Sequence, residues 1–221
     1  MFVNVLASRK GGAGKTTLAC HLAVEADRAG YGPVAVIDLD PMAGLSGWWD
    51  ARKTESPALV RVETTLADTL AALREGGFAT VIVDTPPSIG AEVSEAMEEA
   101  DMVLVPCQPS PDDLRAVGRT VEAVARAGKQ MIFIINRVKP RTRLTAEAAV
   151  ALSQHGTLAP ILVHDRIDYA AAKSDGLTAQ ELEPYGKAAQ EMRELWAYIA
   201  TRAAVKKTPA ARKKERNHAA A

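Results

Sequence analysis

Aromatic side chains are scarce in this sequence, at 5% of residues, and cysteine is nearly absent, with only Cys20 and Cys107. Two thiols so far apart, in no metal-like spacing, argue against a disulfide framework and a cysteine-held metal cluster. They read as small buried hydrophobes in a reducing compartment. No apolar run approaches the ~20 residues needed to span a bilayer. The apolar start runs straight into Arg9 and Lys10, without the pattern of a secretory leader, so the expected location is cytoplasmic. Internal repeats are also missing. What remains is a chain of 221 residues, 48% hydrophobic, long enough for one α/β core and too apolar for global disorder. Few aromatics and much alanine favour helices packed closely on a sheet.

Net charge is zero as well, but it is unevenly placed. Residues 206–216 hold six basic side chains against one acid, a net +5, which leaves 21 basic against 26 acidic residues, a net −5, elsewhere. A basic tail on a mildly acidic body suits either a polyanionic partner or a solvated, solubilising extension. The tail lacks periodicity and is expected to be disordered from 205 to 221, beyond a single domain over 1–204.

Short apolar runs alternate with helical patterns, which predicts an α/β fold: a doubly wound, mostly parallel sheet with helices on both faces. The strands are expected at 2–7, 34–39, 80–84, 102–106, 131–136 and 158–163, several of them apolar on both faces like central parallel strands. A first helix is expected over 15–29, where Leu18, Leu22 and Ala26 share a face and Gly30 stops it. Another covers 66–75. Ser110 followed by Pro111, Asp112 and Asp113 marks a third helix start. Thr178 and Glu181 form a candidate capping box before a long last helix reaching about residue 203.

Between the first strand and first helix stands Lys10-Gly11-Gly12-Ala13-Gly14-Lys15-Thr16-Thr17. A strand–glycine loop–helix is the setting a P-loop requires. Its glycines let backbone N–H groups turn toward phosphates, and the helix N-terminus adds a field that favours anions. Lys15 is placed to reach the β- and γ-phosphates of ATP, and the Thr16 hydroxyl to ligate Mg²⁺. Two further strands end in carboxylates. Asp38 and Asp40 close the second at the C-terminal end, where open α/β sheets place ligands. Asp84 follows Val81-Ile82-Val83, as in a Walker B strand whose acid orients Mg²⁺.

The general P-loop spacing lacks a lysine where Lys10 stands. With Lys10 included, the loop resembles the deviant Walker A motif of the ParA/MinD ATPases, and the resemblance extends from residue 2 to about 200. It implies an ATP-dependent sandwich dimer in which Lys10 reaches the phosphates bound by the partner subunit. It makes Asp38-Leu39-Asp40-Pro41 switch I, with Asp40 handling the attacking water and Asp38 acting on the Mg²⁺ shell or on a switch hydrogen bond. It makes Asp84-Thr85-Pro86-Pro87-Ser88 switch II, and gives Asn136 an adenine-pairing amide. The segment from Gln108 to Leu114 also fits the pattern of the compact, ParF-like ParA type. Met42 departs from it, since the family usually carries Gln there.

The resemblance further implies slow ATP hydrolysis, stimulated by a cargo-bound ParB-like or adaptor protein. The ATP dimer would bind DNA without sequence preference, on the nucleoid, and position or segregate a plasmid, chromosome region or protein cluster. Candidate DNA contacts are Arg166, Lys173, Lys187, Arg193 and Arg202 together with the tail, and the segment after Pro160, with Asp165 and Arg166, is also expected near the base or ribose. The alternative is a MinD-like membrane switch, which needs an amphipathic C-terminal segment. Leu195, Trp196 and Ile199 form an apolar stripe, but one better suited to packing on its own domain, and membrane association is not expected.

Overall fold

Runs of β-branched and aliphatic residues with no polar alternation can only be buried on both faces, so they must become inner strands. In the computed structural model, which describes residues 1–202, they do. The strands are β1 (Phe2–Leu6), β2 (Val34–Asp38), β3 (Ala58–Val60), β4 (Thr80–Asp84), β5 (Met102–Cys107), β6 (Met131–Ile135) and β7 (Thr157–Leu158). Every pair is parallel and the order is β3-β2-β4-β1-β5-β6-β7. The helices are α1 (Lys15–Arg28), α2 (Gly44–Asp50), α3 (Leu66–Glu75), α4 (Ala91–Glu99), α5 (Pro111–Ala127), α6 (Leu144–Ser153), α7 (Ile167–Ser174), α8 (Ala179–Leu182) and α9 (Lys187–Arg202).

Period-two alternation along β1 divides the core. Phe2 and Leu6 join one buried cluster with Leu18 and Leu22 of α1 and Met192, Leu195, Trp196 and Ile199 of α9. Val3, Val5 and Ala7 join the other with residues of α3, α4, α5 and α6. The apolar stripe of α9 is therefore core, as expected, with Leu195 and Ile199 fully buried and Trp196 nearly so. No helix among the described residues is long and apolar enough to cross a membrane. Trp48 is buried too, and its indole N–H donates to the Leu177 carbonyl at 2.9 Å.

Several boundaries differ from expectation. The sixth expected strand, 158–163, is cut to Thr157–Leu158: Ala159 N donates to Phe133 and Val163 N to Ile135, so a step of four residues on this side spans a step of two on β6, and the regular ladder is interrupted before the bridge between Val138 and His164. The short edge strand β3 was not expected. The last helix is broken: Thr178 and Glu181 do pair as a capping box, but they head only α8, and Pro184 and Gly186 intervene before α9. The 205–221 tail lies outside the described residues.

Two contacts fix the helix layer beside the P-loop helix. Gly176 has φ +67°, and a Cβ there would lie 2.4 Å from the backbone carbon of Ala51 and nitrogen of Arg52. The Arg52 guanidinium spans this approach, donating to the Gly176 carbonyl at 2.8 Å and pairing with Glu181. His21 of α1 is buried between Thr17 and α8. Its Nδ1 lies 2.7 Å from the Thr17 carbonyl and its Nε2 3.1 Å from the Ala179 N–H, which fits a neutral ring that donates to the first and accepts from the second.

Gly176→Ala is expected to destabilise the protein by roughly 2 kcal/mol or more, several degrees in a thermal melt; an unchanged melting temperature would deny the close approach. Burial, partly opposed by the Thr17 hydrogen bond, pushes the His21 pKa down to about 4. The unfolded ring titrates near 6.5, so between about pH 6.5 and 4 the unfolded chain binds a proton that the folded chain refuses. Stability should fall with pH across that window, by on the order of 3 kcal/mol. Urea unfolding at pH 7 and pH 4.5 should show the slope reduced in His21→Gln, and an equal slope in both proteins would rule this origin out.

Candidate nucleotide site

The C-terminal ends of β1, β2 and β4 meet at one edge of the sheet, and the functional side chains are carried there by register. Leu6 pairs with Asp84 across β1 and β4, and Asp38 pairs with Asp84 across β2 and β4. The loop leaving β1 turns into α1 through Gly12 (φ +77°) and Gly14 (φ +94°). Gly14 is also a steric requirement, since a Cβ there would fall 2.2 Å from the Asn136 amide nitrogen.

Two side-chain amides from neighbouring strand ends hold this loop. Asn136, just past β6, donates to the Ala13 carbonyl at 2.8 Å. Gln108, just past β5, donates to the Gly12 carbonyl at 2.7 Å. Together they pull two carbonyls away from the cradle. Asn136 lines the cavity, but its amide is turned to the protein: its oxygen also accepts from the Arg137 N–H at 2.9 Å. Each half of that amide makes one hydrogen bond within the protein, which leaves its second N–H and its second acceptor lone pair for a ligand. Gln108 was read only as part of a family pattern, because a brace between distant segments has no local signature.

Lys15 is buried, with its ammonium 3.3 Å from the Ser8 carbonyl. Burial lowers its pKa, while Asp84 and Asp40 act to raise it. Lys10, four residues after the same strand, is exposed, and its side chain makes no hydrogen bond or ion pair among the described residues. Thr16 donates its hydroxyl to Asp84 Oδ2 at 2.5 Å. Asp84 is fully buried and its other oxygen, Oδ1, has no hydrogen-bond partner. Burial pushes the Asp84 carboxyl up to about 7; the Thr16 hydroxyl and Lys15 oppose this, and Asp38 and Asp40 add to it.

Asp38 shows the switch hydrogen bonding rather than a free ligand oxygen. Its Oδ1 accepts from the Asp40 N–H at 3.1 Å, and its Oδ2 accepts from Leu45 and Ser46 at 3.1 and 2.8 Å. It thereby serves the start of α2, which has no local side-chain cap. Asp40 faces the cavity and accepts from the Met42 N–H at 3.0 Å, while Met42 itself is 84% exposed.

The cavity holds about 380 Å³ and runs from Gly11, Gly12 and Thr16 past Asp40 to Asn136, His164, Arg166 and Tyr169. At its far end, buried Glu191 of α9 gathers three side chains: His164 Nδ1 at 2.7 Å, Arg166 at 2.7 and 2.9 Å, and the Tyr169 hydroxyl at 2.7 Å. Burial alone would raise the Glu191 pKa, but these hydrogen bonds hold it below the usual carboxylate range. Arg166 is thus committed to an ion pair in the cavity wall, which corrects its expected place among outward DNA contacts. Arg193 donates to the Pro184 carbonyl at 2.6 Å and Arg202 stacks on Tyr198 at 5.2 Å, so neither cation is wholly unengaged.

No group of three or more His, Cys, Asp or Glu side chains converges to hold a metal among the described residues. The Thr16 hydroxyl beside the unpartnered Asp84 oxygen instead fits Mg²⁺, which keeps waters and takes few protein ligands.

Comparison with known proteins agrees with this geometry. The maintenance of carboxysome distribution protein A of Halothiobacillus neapolitanus is 29% identical over 203 residues, 86% of this chain and 92% of that protein. The protein of the same name from Gloeobacter kilaueensis is 37% identical over 151 residues, 66% of this chain and 68% of its own. Among solved structures, an ATP complex of McdA from Cyanothece superposes with a TM-score of 0.72 at 17% identity, covering 94% of this chain and 98% of that one. The profile of the CobQ/CobB/MinD/ParA nucleotide binding domain matches residues 4–179, the span that includes residues 10–17, Asp38, Asp40, Asp84 and Asn136, and the chain belongs to that family.

Proposed function

We propose that this protein is a ParA-type positioning switch: it dimerises around ATP, rides DNA without sequence preference, and moves or spaces a cargo as ATP is hydrolysed. The observation that carries the reading is the division of labour between two lysines of one loop. Lys15 is buried at the cradle, and Lys10 is exposed with no partner of its own. A lysine held out from its own cavity is available to phosphates bound by a second copy. Dimerisation then depends on a triphosphate, which both lysines neutralise. The carboxysome-distribution relatives support a cargo of the protein-assembly kind, and a plasmid or chromosome region is the same task with a different adaptor.

The backbone of residues 11–17 would cradle the phosphates of ATP, with Lys15 on the β- and γ-oxygens. The Thr16 hydroxyl and Asp84 would hold Mg²⁺, which would supply positive charge to offset that of the phosphates. Asp38, with both oxygens engaged by backbone, would act on the metal through its charge and on switch I through its hydrogen bonds. Asp40 would orient the attacking water. Hydrolysis is slow in this reading and is stimulated by the cargo-bound partner. Loss of the γ-phosphate would release the segment that Asp40 and Asp38 hold, and with it the dimer.

Lys15→Ala is expected to weaken ATP binding by about 100-fold or more, as loss of a buried charge partner does; titration with a fluorescent ATP analogue checks this, and wild-type affinity would remove Lys15 from the cradle. Lys10→Ala should retain ATP but stay monomeric. Light scattering with ATP in the Asp40→Ala background decides it: a normal dimer would refute the role across the interface. Liposomes serve as control, and ATP-dependent vesicle binding without DNA binding would replace the DNA reading with a membrane one.

A further inference from the structure

The β6–α6 loop, residues 136–143, carries Arg137, Lys139, Arg141 and Arg143, with no acid until Glu147. All four are exposed. Arg137 reaches Asp165 at 3.4 Å across a partly exposed gap. Lys139, Arg141 and Arg143 make no ion pair among the described residues. In a protein whose body outside 206–216 is net acidic, this is a local concentration of unneutralised cations.

The fold receives little in return for it. Arg143 is the N-cap residue of α6, where no side chain caps the helix and a cation opposes the macrodipole. Arg141 (φ +59°) and Arg137 (φ +53°) are two of the three non-glycine residues with positive φ among those described. Each is a local cost of up to about 1–3 kcal/mol, offset at Arg137 by its contacts with Asp165 and Asn136 but at Arg141 by no side-chain hydrogen bond or ion pair among the described residues. Local rules broken without internal recompense point outward.

We infer that this loop is a docking surface for the phosphate backbone of duplex DNA, in place of the outward face of Arg166; the inference rests on the DNA-riding reading above. Arg137 lines the nucleotide cavity, but Lys139, Arg141 and Arg143 are spread along the open loop beyond it, so the matching ligand for these three is an extended polyanion. Bound counterions are released as its phosphates are neutralised, and the positive end of α6 adds to the field. A membrane surface fits less well. The exposed apolar side chains of α6, Leu144 and Val150, are six residues apart, which puts them about 120° apart around the helix and gives no apolar stripe to insert.

The loop also starts at the nucleotide site. The Asn136 side chain donates to Ala13 in the P-loop and accepts from the Arg137 N–H. A shift of the P-loop on binding ATP is passed through one side chain to the first residue of the cationic segment. Dimerisation then doubles the patch, so the nucleotide sets both its placement and its multiplicity.

The test uses the full-length chain with ATP, in the Asp40→Ala background, and a fluorescent duplex of unrelated sequence titrated across a salt series. The triple variant Lys139→Gln/Arg141→Gln/Arg143→Gln should bind at least tenfold more weakly, with the slope of log affinity against log salt reduced by about 2 to 3 per protomer. Its ATP affinity, dimer mass and melting temperature should match the parent, which separates loss of contact from loss of fold. A parallel variant, Lys173→Gln/Lys187→Gln/Arg193→Gln, should have the smaller effect. If the parent binds DNA and the loop variant keeps its affinity and slope, the loop assignment is wrong while the DNA reading stands. If the parent binds no DNA, or the loop variant loses anionic vesicle binding instead, both fall.

Discussion

Everything at the C-terminal edge of this sheet depends on one electrostatic constraint: a lysine and a carboxylate are held out of water beside each other without being paired. Lys15 is drawn toward neutrality by burial, and Asp84 toward protonation, with Asp38 and Asp40 adding negative potential. Desolvated charges cost free energy unless partners complete them. The Thr16 hydroxyl satisfies one Asp84 oxygen and leaves the other unpartnered. Such an edge is incomplete by construction. A dication at Asp84 and phosphate oxygens at Lys15 would supply the missing charges, so the proposed ligand would meet buried charges that this edge leaves incomplete.

That incompleteness has mechanical consequences because the surrounding loops are not independent. Gln108 and Asn136 hold adjacent P-loop carbonyls from the ends of β5 and β6. Asp38 holds the first turn of α2 from the end of β2. His21 links α1 to α8, and Glu191 of α9 ties down the residues at the far end of the cavity. A change at the phosphates is therefore felt by segments that lie far apart in sequence but share a strand end. In the proposed reading, ATP hydrolysis would alter a few contacts here, and packed elements with few alternatives would report the change.

Much of this was legible before any coordinates. The sheet followed from apolar runs, because burial on both faces leaves no other pattern, and the cradle followed from glycine spacing. The Ser110 cap is where the sequence places it, with Asp113 N donating to its hydroxyl at 3.2 Å. What escaped were interactions between residues with no periodic relation. Asp38 caps a helix that starts six residues later, so α2 has no start signal of its own. Asn136 reads as a base-pairing amide, and its close packing on Gly14 of the P-loop has no local signature. Arg166 reads as a DNA contact or a neighbour of the base or ribose, and its ion pair with Glu191 from another helix leaves no mark in the sequence. The 158–163 run reads as a strand because hydropathy does not register that the four-residue step from Ala159 to Val163 passes over the two-residue step from Phe133 to Ile135.

The most direct test of the incomplete-edge account is thermal stability in the presence of MgATP, metal-free ATP and Mg²⁺ alone, for the wild-type protein and Asp84→Asn. At about 100 times the dissociation constant, a ligand adds about 2.7 kcal/mol, or about 5 to 10 °C for a domain of this size. The account predicts such a rise with MgATP, a smaller one with metal-free ATP, and loss of the metal-dependent part in Asp84→Asn. A melting temperature that MgATP leaves unmoved, or moves no further than metal-free ATP does, would contradict it.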